Sequence, residues 1–216
     1  MPGAALLTAE TVARKRAPSV ERWVSYLHWS GWVGVVFFAV YPTMNWITSS
    51  RPGRLQLYLP AELAVPFVPQ LIWVYLSMFV LFLVPPFLLP AERMPALGKQ
   101  LIAGTLLSGL AFLLLPAELG FERAVPAGST CARAYSVLFS VDRPHNLVPS
   151  LHVIFSAAIA LACADASGPV VRFALQAWLL VIAASTLLVH QHHVLDLATS
   201  LVLVFFLRRR FRVTHA

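Results

Sequence analysis

The sequence predicts an all-α fold, an integral membrane bundle of six transmembrane helices, on three observations. Of 216 residues, 59% are hydrophobic and only 12% charged, where a soluble domain carries about a quarter charged. A single domain of this size has too little interior to hide so much apolar surface, so lipid is the missing solvent. Six apolar segments follow one another at 26–46, 65–89, 101–115, 147–164, 173–189 and 192–207. The basic residues sit at the termini and between those segments, as they do in membrane proteins.

Taken in order, residues 1–25 read as a cytosolic tail. The apolar run Ala4 to Leu7 is too short for a signal peptide, and Arg14-Lys15-Arg16 follows it instead of preceding it. Residues 26–207 form the membrane domain and 208–216 a basic cytosolic tail. The first two segments are long enough to cross a hydrocarbon core of about 30 Å at about 1.5 Å per residue. The last four run fifteen to eighteen residues. Snorkelling cations such as Arg208, Arg209, Arg210 and Arg212 extend their reach, and short helices suit a bundle with a water-filled cup at one end. Pro60, Pro66 and Pro69 precede or open the second segment, and Pro85-Pro86 bends or ends it. Pro116 ends the third, Pro149 opens the fourth, and Gly168-Pro169 separates the fourth from the fifth. Gly104 and Ser108 form a small-x3-small pair suited to packing a neighbouring helix of the same bundle.

Six spans put both termini on one side. With the termini inside, eleven of the sixteen Lys and Arg lie inside and five outside: Arg51, Arg54, Arg123, Arg133 and Arg143. That bias satisfies the positive-inside rule. The formal charge of +7 is therefore topological; no basic stripe with interleaved aromatics points to nucleic acid. Cys131 and Cys163 fall near opposite faces, which argues against a disulfide, and neither has metal-ligand spacing.

Two polar clusters stand at the ends of apolar segments, where polar residues are functional candidates. One runs from Asp142 through Arg143, Asn146 and Ser150 to His152; the other runs from Ser185 through His190 and His192 to Asp196. Both fall on the outer side. His192 and Asp196 at i, i+4 would share a face of the sixth helix, where a carboxylate orients an imidazole and leaves its other nitrogen free. His152 and Ser150 would stand at the N-terminus of the fourth helix, whose unpaired N–H groups favour an anion. Arg123, Arg133 or Arg143 could supply the positive charge such a site needs. His190, His192 and His193 could also form a metal cluster, but no second acidic or histidine set stands at zinc spacing. His28 reads as an interface residue and His215 as part of the tail.

Pro149-Ser150-Leu151-His152 resembles the Pro-Ser-Gly-His signature of the type-2 phosphatidic acid phosphatase superfamily, which includes vanadium haloperoxidases. Ser185, His192 and Asp196 resemble its Ser-Arg-x5-His-x3-Asp signature, with seven residues from Ser185 to His192 and four more to Asp196. The resemblance covers about 65–207. Leu151 within the first motif, Asn146 before it, and Gln191-His192 are similar to the branch containing fungal inositol phosphorylceramide synthases and bacterial relatives. Thr186 stands where that signature has Arg. Arg143-Pro144 is present, but the position seven before Arg143 is Ser136, where the family has Lys, which leaves Arg123 as the stand-in by placement.

The resemblance implies a metal-independent lipid phosphatase without a cofactor, placed in a bacterial inner (plasma) membrane with its site facing outward. It implies His192 as nucleophile, Asp196 as its orienter and His152 as acid and base. Ser150, Arg123, Arg143, Asn146 and a protonated His190 would bind phosphate. The expected partners are the bilayer and a lipid phosphate or pyrophosphate. Transfer of the phosphoryl or phosphoalcohol group to a lipid alcohol, and a non-catalytic lipid-binding bundle, are the alternatives.

Overall fold

A computed structural model describes residues 18–128 and 130–212. Residues 1–17 of the expected 1–25 tail, and 213–216 with His215 of the expected 208–216 tail, lie outside the described residues. The fold is all-helical, with 71% helix and no strand among the described residues. The helices are α1 (Val20–Ser49), α2 (Ile72–Leu76), α3 (Met78–Leu81), α4 (Pro85–Leu88), α5 (Met94–Leu114), α6 (Ala132–Val141), α7 (Leu151–Asp165), α8 (Pro169–Leu188) and α9 (Val194–Arg210). Three stretches are long and apolar enough to cross a membrane: Val20–Ser49, Ala91–Leu114 and Pro169–Leu188. Pro69–Leu81 and Leu151–Asp165 are shorter apolar stretches.

The core sits on α7. Twelve of its fifteen residues are buried, so it is apolar all round and central, packed against α5, α8 and α9. Ala157, Ala158 and Ala160 let those neighbours approach closely. Only three residues of α1 are buried: Val33, Asn45 and Thr48. Val24, Leu27, Val35 and Phe38 on it are exposed, a continuous apolar surface that water would not tolerate. α1 lies along α5, and Gly98 makes the close approach possible: a side chain there would enter the Trp29 ring. Gly104 faces Ile154 and Leu207, so the small-x3-small pair packs within the same bundle.

The boundaries differ from the sequence reading: the first helix starts at Val20, inside the expected 1–25 tail, the third apolar segment starts as a helix at Met94, and the last helix runs on to Arg210, inside the expected 208–216 tail. The segment 65–89 is not one helix but α2, α3 and α4 in succession. Pro85 and Pro86 lack the N–H that a continuing helix needs, and Ser77 between α2 and α3 accepts a hydrogen bond from Trp178 Nε1 at 2.9 Å. The fourth helix starts at Leu151, because Ser150 is extended and caps it through its hydroxyl. The sixth starts at Val194, so His192 precedes the helix and does not ride on it. The 117–146 loop contains α6, an amphipathic helix whose Tyr135 is fully buried.

Candidate active site

Two helix starts are bound together at the site. Ser150 N–H donates to the Asp196 carbonyl at 3.4 Å, and the Ser200 hydroxyl donates to the Ser150 carbonyl at 3.1 Å. Ser150 Oγ also accepts from Val153 N–H at 3.3 Å, closing the first turn of α7. The turn before α9 is shaped by the Thr186 carbonyl, which accepts from both Gln191 N–H (3.0 Å) and His192 N–H (3.1 Å).

His192 Nδ1 lies 2.9 Å from Asp196 Oδ2, and its Nε2 lies 2.9 Å from Ser150 Oγ. A carboxylate can only accept, so Nδ1 carries the proton and Nε2 presents the lone pair, receiving the Ser150 hydroxyl hydrogen. The same Asp196 oxygen accepts from His193 N–H at 2.9 Å, which fixes the carboxylate at the N-terminus of α9. His192 is only 8% exposed. His152, in the first turn of α7, stacks on Tyr75 with ring centroids 3.9 Å apart and planes 14° apart. Its Nε2 has no hydrogen-bond partner among the described residues.

His152 and His192 both line a cavity of about 640 Å³, with Asp142, Arg143, Asn146 and Gln191 at the same end. Arg143 is exposed at that end. Arg123 is engaged: it donates to the Asp142 carbonyl (2.9 Å) and to Gln191 Oε1 (3.3 Å), and its guanidinium lies 4.2 Å from the Phe139 ring centre. Its ion pair with the Asp142 carboxylate measures 3.5 Å, and the Tyr41 hydroxyl also donates to that carboxylate. Burial pushes the Asp142 carboxyl above the ordinary range, against the pull of Tyr41 and Arg123. Asn146 lines the cavity, but its amide is tied to α1, accepting from Thr48 Oγ1 (3.1 Å) and donating to the Tyr41 carbonyl (3.4 Å).

His190 does not line the cavity with His152 and His192. Its Nε2 bonds the Val65 carbonyl at 2.9 Å, its ring stacks on Phe121 at 3.9 Å, and its φ is +57°. The ring nitrogens of the three neighbouring histidines go to different groups: His190 to the Val65 carbonyl, His192 to Asp196 and Ser150, and His193 to Glu62 and Gly120.

Sequence reasoning missed a second histidine–carboxylate pair beside the first. His193 Nδ1 lies 3.3 Å from Glu62 Oε2, and its Nε2 accepts from Gly120 N–H at 3.2 Å. Glu62 also accepts from Leu59 N–H (3.0 Å) and from Val194 N–H at the first position of α9 (2.8 Å). Tyr58 and Phe121 stack on the two sides of His193 at 4.4 and 4.5 Å. Gly120 admits this arrangement, because a side chain there would collide with the Tyr58 ring. The stack runs Tyr58, His193, Phe121, His190, and it clamps the turn that carries His192. The available signal was Glu62 itself, an acid alone in the apolar, proline-rich stretch 59–69.

Burial pushes the Glu62 carboxyl up, but the N–H groups of Leu59 and Val194, together with His193, outweigh it and hold it below the usual carboxylate range. Its stabilisation is therefore complete above the ordinary carboxylate pKa and lost as pH falls through the lowered one. Glu62→Gln is expected to cost about 1–3 kcal/mol at neutral pH. It should also flatten the fall in Tm as pH drops below the ordinary carboxylate value of 4.5 and through the lowered one. A Glu62→Gln variant with the wild-type acid slope would remove this role.

No family model, curated protein or solved structure matches the chain.

Proposed function

We propose that the chain is a six-span membrane enzyme that hydrolyses a phosphate monoester or pyrophosphate lipid through a phosphohistidine at His192, on the outer face. The observation that carries this reading is the His192 pair. A buried imidazole is oriented by Asp196 at Nδ1, and its Nε2, held by the Ser150 hydroxyl until a phosphate displaces it, stands at an apolar cavity that His152 also lines. Nε2 attacks phosphorus and the bond to the lipid oxygen breaks. His152 gives that oxygen its proton and then takes one from water, whose oxygen displaces His192 and releases phosphate. Asp196 stabilises the cationic ring while the P–N bond exists. Ser150, the first turn of α7 and Arg143 hold the phosphate oxygens, while Arg123 braces the His192 turn through Gln191. The apolar length of the cavity receives the hydrocarbon, and no step draws on a metal.

Transfer to an alcohol is the second reading, and the burial of His192, only 8% exposed, favours it, since burial restricts the approach of water. One experiment separates the two. The protein in nanodiscs is given a panel of lipid phosphates in EDTA, with and without a long-chain alcohol. Free phosphate in EDTA is the expected result. A phosphorylated alcohol as the main product would establish transfer. Neither product from any substrate would leave a lipid-binding bundle.

A further inference from the structure

Resting on the lipid-phosphate reading, we propose that the cavity is a ruler for one extended hydrocarbon chain that reaches beyond the bilayer midplane, and that Gly34 on α1 sets its usable depth. On α1 the lining includes Tyr26, Ser30, Val33, Gly34, Phe37 and Tyr41, a stripe at helical spacing. Tyr41 stands at the reactive end, hydrogen-bonded to Asp142. Tyr26 stands at the other end, its hydroxyl donating to the Phe82 carbonyl at 2.7 Å. The fifteen steps between them span about 22 Å at about 1.5 Å per residue. One leaflet accounts for only about 15 Å, half of a hydrocarbon core of about 30 Å. Met94, Leu97 and Gly98 of α5 close the far end against Trp29. The charged side chains and the histidines gather at one end, and apart from Ser30 and Tyr26, whose hydroxyl is bonded to Phe82, the far part is apolar, which matches an amphiphile with its phosphate at His192 and its chain running down α1.

Gly34 lies about 10 Å below Tyr41 along the helix. It lines the cavity, and a Cβ built on it meets nothing within 4 Å. A side chain at this position starts into the cavity midway, its Cβ clear of protein. An eight-carbon chain ends near this level; an eighteen-carbon chain passes it. Gly31, one turn away, is exposed, does not line the cavity, and its Cβ is equally unobstructed, so it controls for adding bulk to α1.

The test compares octadecyl and octyl phosphate as substrates for wild type, Gly34→Leu and Gly31→Leu in nanodiscs. The octadecyl-to-octyl ratio of kcat/KM is expected to fall by at least about tenfold in Gly34→Leu and to hold in Gly31→Leu. Thermal stabilisation by octadecyl phosphate is read on the same samples, and it should be lost in Gly34→Leu alone. An unchanged ratio and unchanged stabilisation in Gly34→Leu, or an equal loss in Gly31→Leu, overturns the ruler. Should wild type hydrolyse neither substrate, the hydrolase reading falls, and the stabilisation data still decide the channel.

Discussion

Replacing His192 with asparagine is expected to lower phosphate release by about 10⁴-fold or more and to abolish phosphoryl labelling of the enzyme. Asparagine suits the test because its amide can still donate to Asp196, so the carboxylate buried at 1% exposure keeps a partner besides His193 N–H. Loss of activity then reports the missing Nε2 and not a buried charge left alone. The label should be acid-labile and alkali-stable, as a phosphoramidate is, and present only in wild type. Thermal unfolding of both proteins checks that the bundle persists. An asparagine variant within tenfold of wild type, or one that still takes the label, would remove His192 as the nucleophile. Asp196→Asn is the companion: it leaves the Nδ1 contact but reverses its polarity, so the ring takes the wrong tautomer and Nε2 loses its lone pair.

These residues were legible because their relations are local. Ser150 and His152 lie two apart, and His192 and Asp196 four apart, so spacing within one helix start reveals each pair. Even so, the reason given for the second pair needed revision. His192 precedes α9 and meets Asp196 through a capped turn, not across a helical face. The partners that hold the site were hidden because they are distant in sequence. Tyr75 reaches His152 across 77 positions and Glu62 reaches His193 across 131. Neither contact follows from composition or period; both require the broken segment after α1 to fold back over α7 and α9. That break was half-visible in Pro66, Pro69, Pro85 and Pro86. Those prolines read as the opening and the end of one span, whereas the segment is three short helices in succession. Helix α6 was missed because the loop was read for its arginines, although Cys131, Tyr135 and Leu138 recur at helical spacing.

His152→Ala is expected to produce the second large loss, about 10²–10⁴-fold in kcat, and its size should depend on the leaving group. An alkoxide leaves poorly and needs the proton that His152 delivers; a nitrophenolate leaves without it. The variant should therefore form the phosphoenzyme nearly normally from p-nitrophenyl phosphate and much more slowly from an alkyl phosphate. Hydrolysis of the intermediate should be slow with either, since the same ring must activate water. A burst of nitrophenol followed by a slow steady state is the expected trace. The geometry supports this division of labour. Stacking on Tyr75 fixes the plane of the ring, and the absence of a partner on Nε2 among the described residues leaves that nitrogen available for a proton in transit. Equal losses for the two leaving groups, with no burst, would mean that His152 only packs against Tyr75 to shape the cavity. The proton would then have to come from elsewhere at that end, and Asp142 is the nearest alternative by chemistry, because burial already favours its protonated form.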